Sequence, residues 1–338
     1  VDLKSIREEA RKKLKGYCRV CPVCDGRACA GEVPGMGGTG TGTAFRANLE
    51  ALSRYRLNMR TIHNAKEVNT TCRLFGMDLD TPVLAAPMTG TTYNMGGALS
   101  EKEFISMIVS GSHRAGSIGL TGDGADPAMY DSGIEAVAAE RGWGIPIIKP
   151  RAQQEIINRI RTAEKAGAAA VGVDIDGAGL VTMALKGQPV GPKTKEEIRE
   201  LVSATELPFI LKGIMTVDEA EIAAEAGCAA IVVSNHGGRI LDHTPGAAEV
   251  LPAIVKAVGD KLTILADGGV RSGVDVIKLL ALGADAVLVG RPLVVGAFGG
   301  GAEGVKLIID QYTNELKQAM ILTGTSSLSA ISDKIIYK

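Results

Sequence analysis

The sequence predicts an α/β chain folded as a (β/α)8 TIM barrel behind an N-terminal capping segment. Two observations carry this: short apolar runs recur from residue 82 onward, and amphipathic stretches separate them. The runs are PVLAAP (82–87), GSIGLT (116–121), IPIIKP (145–150), AAVGVDID (169–176), LPFILK (207–212), AAIVVS (229–234), LTILAD (262–267) and ADAVLVG (284–290). Each suits a strand buried on both faces and is too short for a helix. Between them AQQEIINRIRTAEKAG, TVDEAEIAAEAG and RSGVDVIKLLALG carry apolar residues at helical spacing. Eight strand–helix units in series close a parallel barrel through right-handed crossovers; a doubly wound open sheet, the competitor, usually has fewer strands. Residues 1–81 read as a cap with a helix, a cysteine-rich run and a glycine-rich run, and 82–338 as the barrel. The stretch GVKLIIDQYTNELKQAMILTGTSSLSAI reads as outer helices closing the ring.

Composition narrows the function. Among 338 residues, 37 Lys and Arg against 38 Asp and Glu leave a net charge of −1, so nothing draws the chain to nucleic acid or an anionic membrane. No uninterrupted apolar run approaches the roughly 18 residues of a membrane span. The opening VDLKSIREEARKKLK is a charged helix rather than a secretion signal, and a cytoplasmic protein is expected.

Barrel chemistry sits at the C-terminal ends of the strands. Those ends carry Pro87, Asp176, Lys212, His236, Asp267 and the pair Gly290–Arg291. In SNHGGR (234–239), a strand tip on a glycine hinge presents an imidazole for proton transfer and, three residues on, a guanidinium for a carboxylate. ADGGVRSG (266–273) and GADAVLVGRPL (283–293) open glycine turns onto helix N-termini, each with an arginine. That pattern fits a phosphate held by Gly268, Gly269, Arg271, Gly290 and Arg291. GMGGTGTG (35–42) has dinucleotide-fingerprint spacing but no strand before it, so a lid over the barrel mouth is the better reading. Residues 177–193 read as a second mobile loop, His63 and His243 as surface or structural residues, and His113 as a solvated helix residue.

LKG (211–213), SNHGGR, ADGGVRSG and GRPL (290–293), in this order and spacing, resemble the FMN-dependent α-hydroxy-acid oxidase and dehydrogenase family, which includes glycolate and lactate oxidases. The similarity covers about residues 80–335 and is densest from 207 to 293. It implies an FMN-bearing barrel, assembled as a closed homotetramer, that oxidises a small 2-hydroxy acid to the 2-keto acid. By this resemblance His236 matches the base, Arg239 the clamp on the substrate carboxylate, and Asp176 the carboxylate that orients the histidine. Lys212 matches the lysine whose ammonium stabilises reduced flavin. Asp267, Gly269, Arg271, Gly290 and Arg291 match the ribityl and phosphate site. Ala86, Pro87 and Met88, within AAPMTG (85–90), match the first-strand turn against the flavin, and Gly122 falls where the family often offers a serine.

The chain also departs from the family's pattern. No tyrosine before the barrel aligns with the family's second carboxylate ligand; Tyr17 and Tyr55 are poorly placed. Lys149-Pro150-Arg151 replaces a glutamine and then a tyrosine, and Arg151 is expected to take the tyrosine's part in substrate binding. Asp174 stands where a threonine is usual. A carboxylate beside the flavin opposes an anionic reduced state unless it is paired, and Lys149 is the expected partner.

YCRVCPVCDGRACAGE (17–32) places four of the six cysteines within twelve positions: Cys18, Cys21, Cys24 and Cys29. Such crowding in a cytosolic chain suggests metal thiolates. An iron–sulfur cluster, a zinc ion and reduced or redox-active thiols all stay open. A cluster could pass electrons from FMN to an unknown acceptor. Two alternatives to hydroxy-acid oxidation also stand: a flavin isomerase resembling type-2 isopentenyl diphosphate isomerase, and a non-catalytic redox flavoprotein built on the cysteines.

Overall fold

The computed structural model describes residues 2–337. Eight parallel strands close a barrel: Val83–Ala85, Gly119–Thr121, Gly144–Ile148, Val171–Asp174, Phe209–Ile214, Ala230–Val233, Thr263–Ala266 and Ala286–Val289. They pair in sequence order, and the eighth pairs with both the seventh and the first. Seven of the eight are buried at every position, as strands covered by an interior and an outer helical ring must be. Leu84, Leu120, Ile145, Ile147, Ile210 and Leu265 belong to the interior core, while neighbours such as Val83 and Ile231 join the core facing the helices.

The N-terminal segment serves both ends. An antiparallel hairpin, Cys72–Leu74 with Met77–Leu79, runs directly into the first strand. Its Leu74 and Leu79 join the interior core and plug the N-terminal end of the barrel. At the opposite rim, the glycine-rich run and helix Thr43–Arg54 lie across the sixth-strand turn. There Thr39 N donates to Gly238 O at 2.9 Å, and Asn48 Nδ2 donates to Asn235 Oδ1 at 2.7 Å.

The last strand turns at Gly290 straight into helix Arg291–Thr323, which bends at Gly301 where φ is 61°. By length and composition this helix could cross a membrane, but half of its most apolar window is buried. It packs on helices Leu3–Lys13, Glu101–Arg114 and Gly273–Ala281. His113 is less solvated than its helical pattern suggests, bonding Glu140 through Nδ1 at 2.6 Å and stacking on Trp143. Residues 177–193 are not simply a loop: a 3-10 turn, Ile175–Gly179, leads into helix Val181–Leu185. Leu180 and Met183 pack there beside Ala125 and Ile240.

Candidate active site

The sixth strand ends at Val233, and the chain then enters left-handed backbone at His236, Gly237 and Gly238, with φ of 58°, 63° and 75°. A histidine rarely adopts that conformation, so its surroundings must hold it. Ser234 Oγ accepts from His236 N at 3.0 Å, and Asn235 Oδ1 accepts from Gly238 N at 3.1 Å. A side chain on Gly238 would strike the Phe45 backbone nitrogen at 2.3 Å, so the cap can lie on this turn only while 238 is glycine. One strand earlier, Gly213 leaves space that the Asp176 carboxylate occupies. These two glycines let histidine and carboxylate meet: His236 Nδ1 is 3.0 Å from Asp176 Oδ1.

Around that pair lies a buried charge cluster. Asp174 receives Lys149 Nζ at 2.6 Å and Lys212 Nζ at 3.4 Å, and its Oδ1 is 3.5 Å from His236 Nδ1. The pairing of Lys149 with Asp174 is the one expected from sequence. Burial alone would raise the Asp174 carboxyl, but His236, Lys149 and Lys212 outweigh it and hold the group ionised. Asp176 shifts upward, through burial and then the neighbouring Asp174 charge. Burial would lower the His236 imidazole, yet Asp174 and Asp176 raise it above the ordinary value of 6.5. Lys212 is raised too: burial opposes its charge, and Asp174, Asp267 and Asp176 prevail. Asp174, Asp176 and His236 could group around a cation, but two ammoniums already neutralise Asp174.

This cluster forms one wall of a cleft at the C-terminal rim, about 1140 Å³ counted out to its mouth. Ala86, Pro87, Met88, Gly122, Lys149, Asp174, Lys212, His236 and Arg239 line it, with Asp267, Gly268, Gly269, Arg271, Gly290 and Arg291. Asp267 Oδ1 is buried without a partner among the described residues. The amides of Gly268 and Gly269 donate to none of the described acceptors either. A polyol and phosphate chain supplies what these groups lack, so the residues fit a flavin mononucleotide.

Three arginines line the cleft, and none of their guanidiniums has a carboxylate partner among the described residues. Arg239 donates to Gly35 O at 2.6 Å, Gly37 O at 3.1 Å and Asn94 Oδ1 at 3.0 Å. Burial brings its pKa down to about 10. Arg291 donates to Met36 O at 2.7 Å and lies 4.0 Å from the centre of the Phe45 ring. Burial, with Arg239 and Arg271 nearby, takes it down to about 9. Arg271 turns away toward Cys24, donating to its carbonyl at 3.3 Å and its sulfur at 3.4 Å. The glycine-rich run thus lies on the arginines, covering the barrel mouth.

Arg151 corrects a sequence expectation. Its side chain is 1% exposed and does not line the cleft. Nε and Nη2 clamp both Asp123 oxygens at 2.8 and 3.2 Å, Nη1 donates to Gln188 at 3.0 Å, and Nη2 also donates to Gly124 O. The pair ties the second-strand turn to the third. Arg151→Met is expected to lower unfolding stability by about 1–3 kcal/mol, because Asp123 loses its clamp and keeps Arg159 Nε at 3.7 Å as its only guanidinium partner, while KM for the acid stays near wild type. Denaturant unfolding and steady-state kinetics read the two effects separately.

Sequence reasoning missed Tyr93 and Asn94, in the short helix Thr91–Asn94 after the first strand. Both line the cleft; Tyr93 Oη donates to Met129 Sδ at 3.3 Å, and Asn94 Oδ1 accepts from Gly35 N as well as from Arg239. The signal was there, in TTYN directly after AAPMTG on a C-terminal turn. Of the cysteines, Cys18, Cys21, Cys24 and Cys29 line a separate cavity, and no three of their sulfurs lie within 4.8 Å of one another.

The family model described as FMN-dependent dehydrogenase matches residues 35–188 and 181–338. The chain belongs to this family. It is 32% identical over 329 residues to a 2-hydroxyacid oxidase of Dictyostelium discoideum, covering 86% of this chain and 81% of that one. It is 30% identical to an L-lactate oxidase of a Nostoc species, covering 89% and 92%. Among solved structures, a single-residue variant of mandelate oxidase with 2-hydroxy-phenylacetamide superposes with a TM-score of 0.78 at 30% identity, over 98% of this chain and 96% of that one. Another variant of mandelate oxidase, carrying a C4a-OH-FMN adduct, superposes at 0.75 with 29% identity, over 96% of each. FMN is the family's cofactor, and the cleft described above has the groups to hold it.

Proposed function

We propose that this chain oxidises a small 2-hydroxy acid to the 2-keto acid, with His236 as base and Arg239 as the carboxylate clamp. One observation carries the reading: a half-buried guanidinium without an anionic partner among the described residues stands three residues from an imidazole already held by a carboxylate. A carboxylate substrate completes the first, and its hydroxyl completes the second.

Bound FMN supplies the acceptor for the hydride leaving C2 of the acid. The protein does the rest. With Nδ1 engaged by Asp176, His236 keeps Nε2 for the substrate hydroxyl proton, and Asp176 and Asp174 stabilise the imidazolium that forms. Arg239 fixes the carboxylate by two-point contact, with Tyr93 and Asn94 at hand as further polar groups. Because Lys149 satisfies Asp174 at close range, Lys212 keeps positive charge for the electron-rich flavin ring. The turns at Gly268–Arg271 and Gly290–Arg291 hold the phosphate. An isopentenyl diphosphate isomerase has no use for Arg239 as a clamp, which puts that alternative behind.

The pH profile tests the base. His236 must be neutral to take a proton, and its pKa is raised, so kcat/KM falls as pH drops through a value above 6.5. Asp176→Asn removes one of the two charges that raise it. The acid limb should then move to lower pH and the plateau should fall. An acid limb unmoved by the substitution contradicts the assignment.

A further inference from the structure

Four cysteines stand outside this chemistry. Cys18, Cys21, Cys24 and Cys29 are free and partly buried, and all line one cavity between the cap, helix Leu3–Lys13 and helix Arg291–Thr323. It measures about 1440 Å³ counted out to its mouth and shares Met36, Arg271 and Arg291 with the flavin cleft.

Helix Leu3–Lys13 holds the loop that carries them through its backbone carbonyls. Arg7 donates to Val20 O at 3.3 Å and Cys21 O at 2.6 Å, and Arg11 to Arg19 O at 3.3 Å and Val20 O at 3.1 Å. Two sulfurs already receive donors suited to a thiolate: Val20 N reaches Cys18 Sγ at 3.4 Å, and Arg271 Nη2 reaches Cys24 Sγ at 3.4 Å. Arg271 and Arg291 line this cavity as well as the flavin cleft, and Asp25 lines it too.

Size separates the candidates. A single tetrahedral zinc with Zn–S of about 2.3 Å draws its sulfurs to about 3.8 Å from one another. Among the described residues the only trio of ligand atoms within 4.8 Å is Asp174, Asp176 and His236, so no three of the cysteine sulfurs stand as close together as one zinc ion would hold them. A C-x2-C-x2-C run is a loop that wraps an iron–sulfur cube, whose thiolates stand farther apart than around one ion.

We propose that Cys18, Cys21, Cys24 and Cys29 ligate a four-iron–four-sulfur cluster that serves as the electron exit of the enzyme. Each acid oxidised gives up two electrons and two protons. The cluster takes the electrons one at a time from reduced FMN and passes each to a one-electron carrier protein, while the protons go to water. The electron route rests on the hydroxy-acid reading; the cluster site does not.

The test uses the full chain, purified anaerobically and reconstituted with ferrous iron and sulfide. Iron, sulfide, zinc and FMN are quantified, and the dithionite-reduced protein is examined by EPR. The expected result is about four irons and four sulfides per FMN, with a reduced-cluster signal. Cys21→Ser with Cys24→Ser should lose iron and signal while FMN stays bound. One zinc per chain, no iron, or equal iron in the double variant overturns the site. Should the variant fail to fold, wild-type iron and sulfide stoichiometry with the EPR signal decides alone. With the site present, anaerobic addition of the substrate acid should raise the cluster signal; flavin that bleaches while the cluster stays oxidised overturns the electron route.

Discussion

His236→Asn is expected to lower kcat by about 10²–10⁴-fold while FMN content stays at the wild-type level. Asparagine is the informative replacement because residue 236 has φ of 58°, a conformation asparagine tolerates, so the turn survives and only the base is removed. Ser234 still accepts from the backbone amide, and the neighbouring glycines keep the cap in place. A turnover loss under about tenfold would mean that another group takes the proton. Measuring kcat and bound flavin on the same preparation separates lost chemistry from lost cofactor.

Arg239→Met is expected to cost about 2–5 kcal/mol of transition-state binding, which is about 30- to several-thousand-fold in kcat/KM. Removing one partner of a desolvated charge pair leaves the substrate carboxylate buried and uncompensated. The loss should be specific for the acid: for the corresponding neutral amide, wild type and variant should differ little. Lysine at 239 should recover only part of the activity, because an ammonium cannot make the two-point contact. An equal loss for acid and amide would instead point to the other contacts of Arg239, the carbonyls of Gly35 and Gly37 that hold the cap over the mouth.

The barrel was legible because its strands are buried on both faces, so each appears as an unbroken apolar run. The hairpin Cys72–Leu74 with Met77–Leu79 was not, since its strands are three residues long and only Leu74 and Leu79 are buried. The site was legible where one strand tip carries its own chemistry, as with His236 and Arg239 on a single turn. It failed where direction depends on a distant partner. Arg151 stands at a strand end as expected, yet its guanidinium goes to Asp123, a carboxylate 28 residues earlier on the neighbouring turn. The pairing of Lys149 with Asp174 could be reasoned out because both sit on adjacent strand tips and neither charge survives burial alone. The glycine-rich run revealed itself as a cover for want of a preceding strand, but nothing in its sequence says that Arg239 and Arg291 hold it there.

The central claim is that a 2-hydroxy acid surrenders hydride to the flavin in this cleft. The direct measurement is an anaerobic titration of the purified flavoprotein with a panel of 2-hydroxy acids, following the visible flavin bands and the keto acid formed. The account predicts that at least one acid bleaches the flavin and yields its 2-keto acid, and that the same acid leaves the bands of His236→Asn nearly unchanged on that timescale. Flavin that is bound yet stays oxidised with every acid in the panel would contradict it.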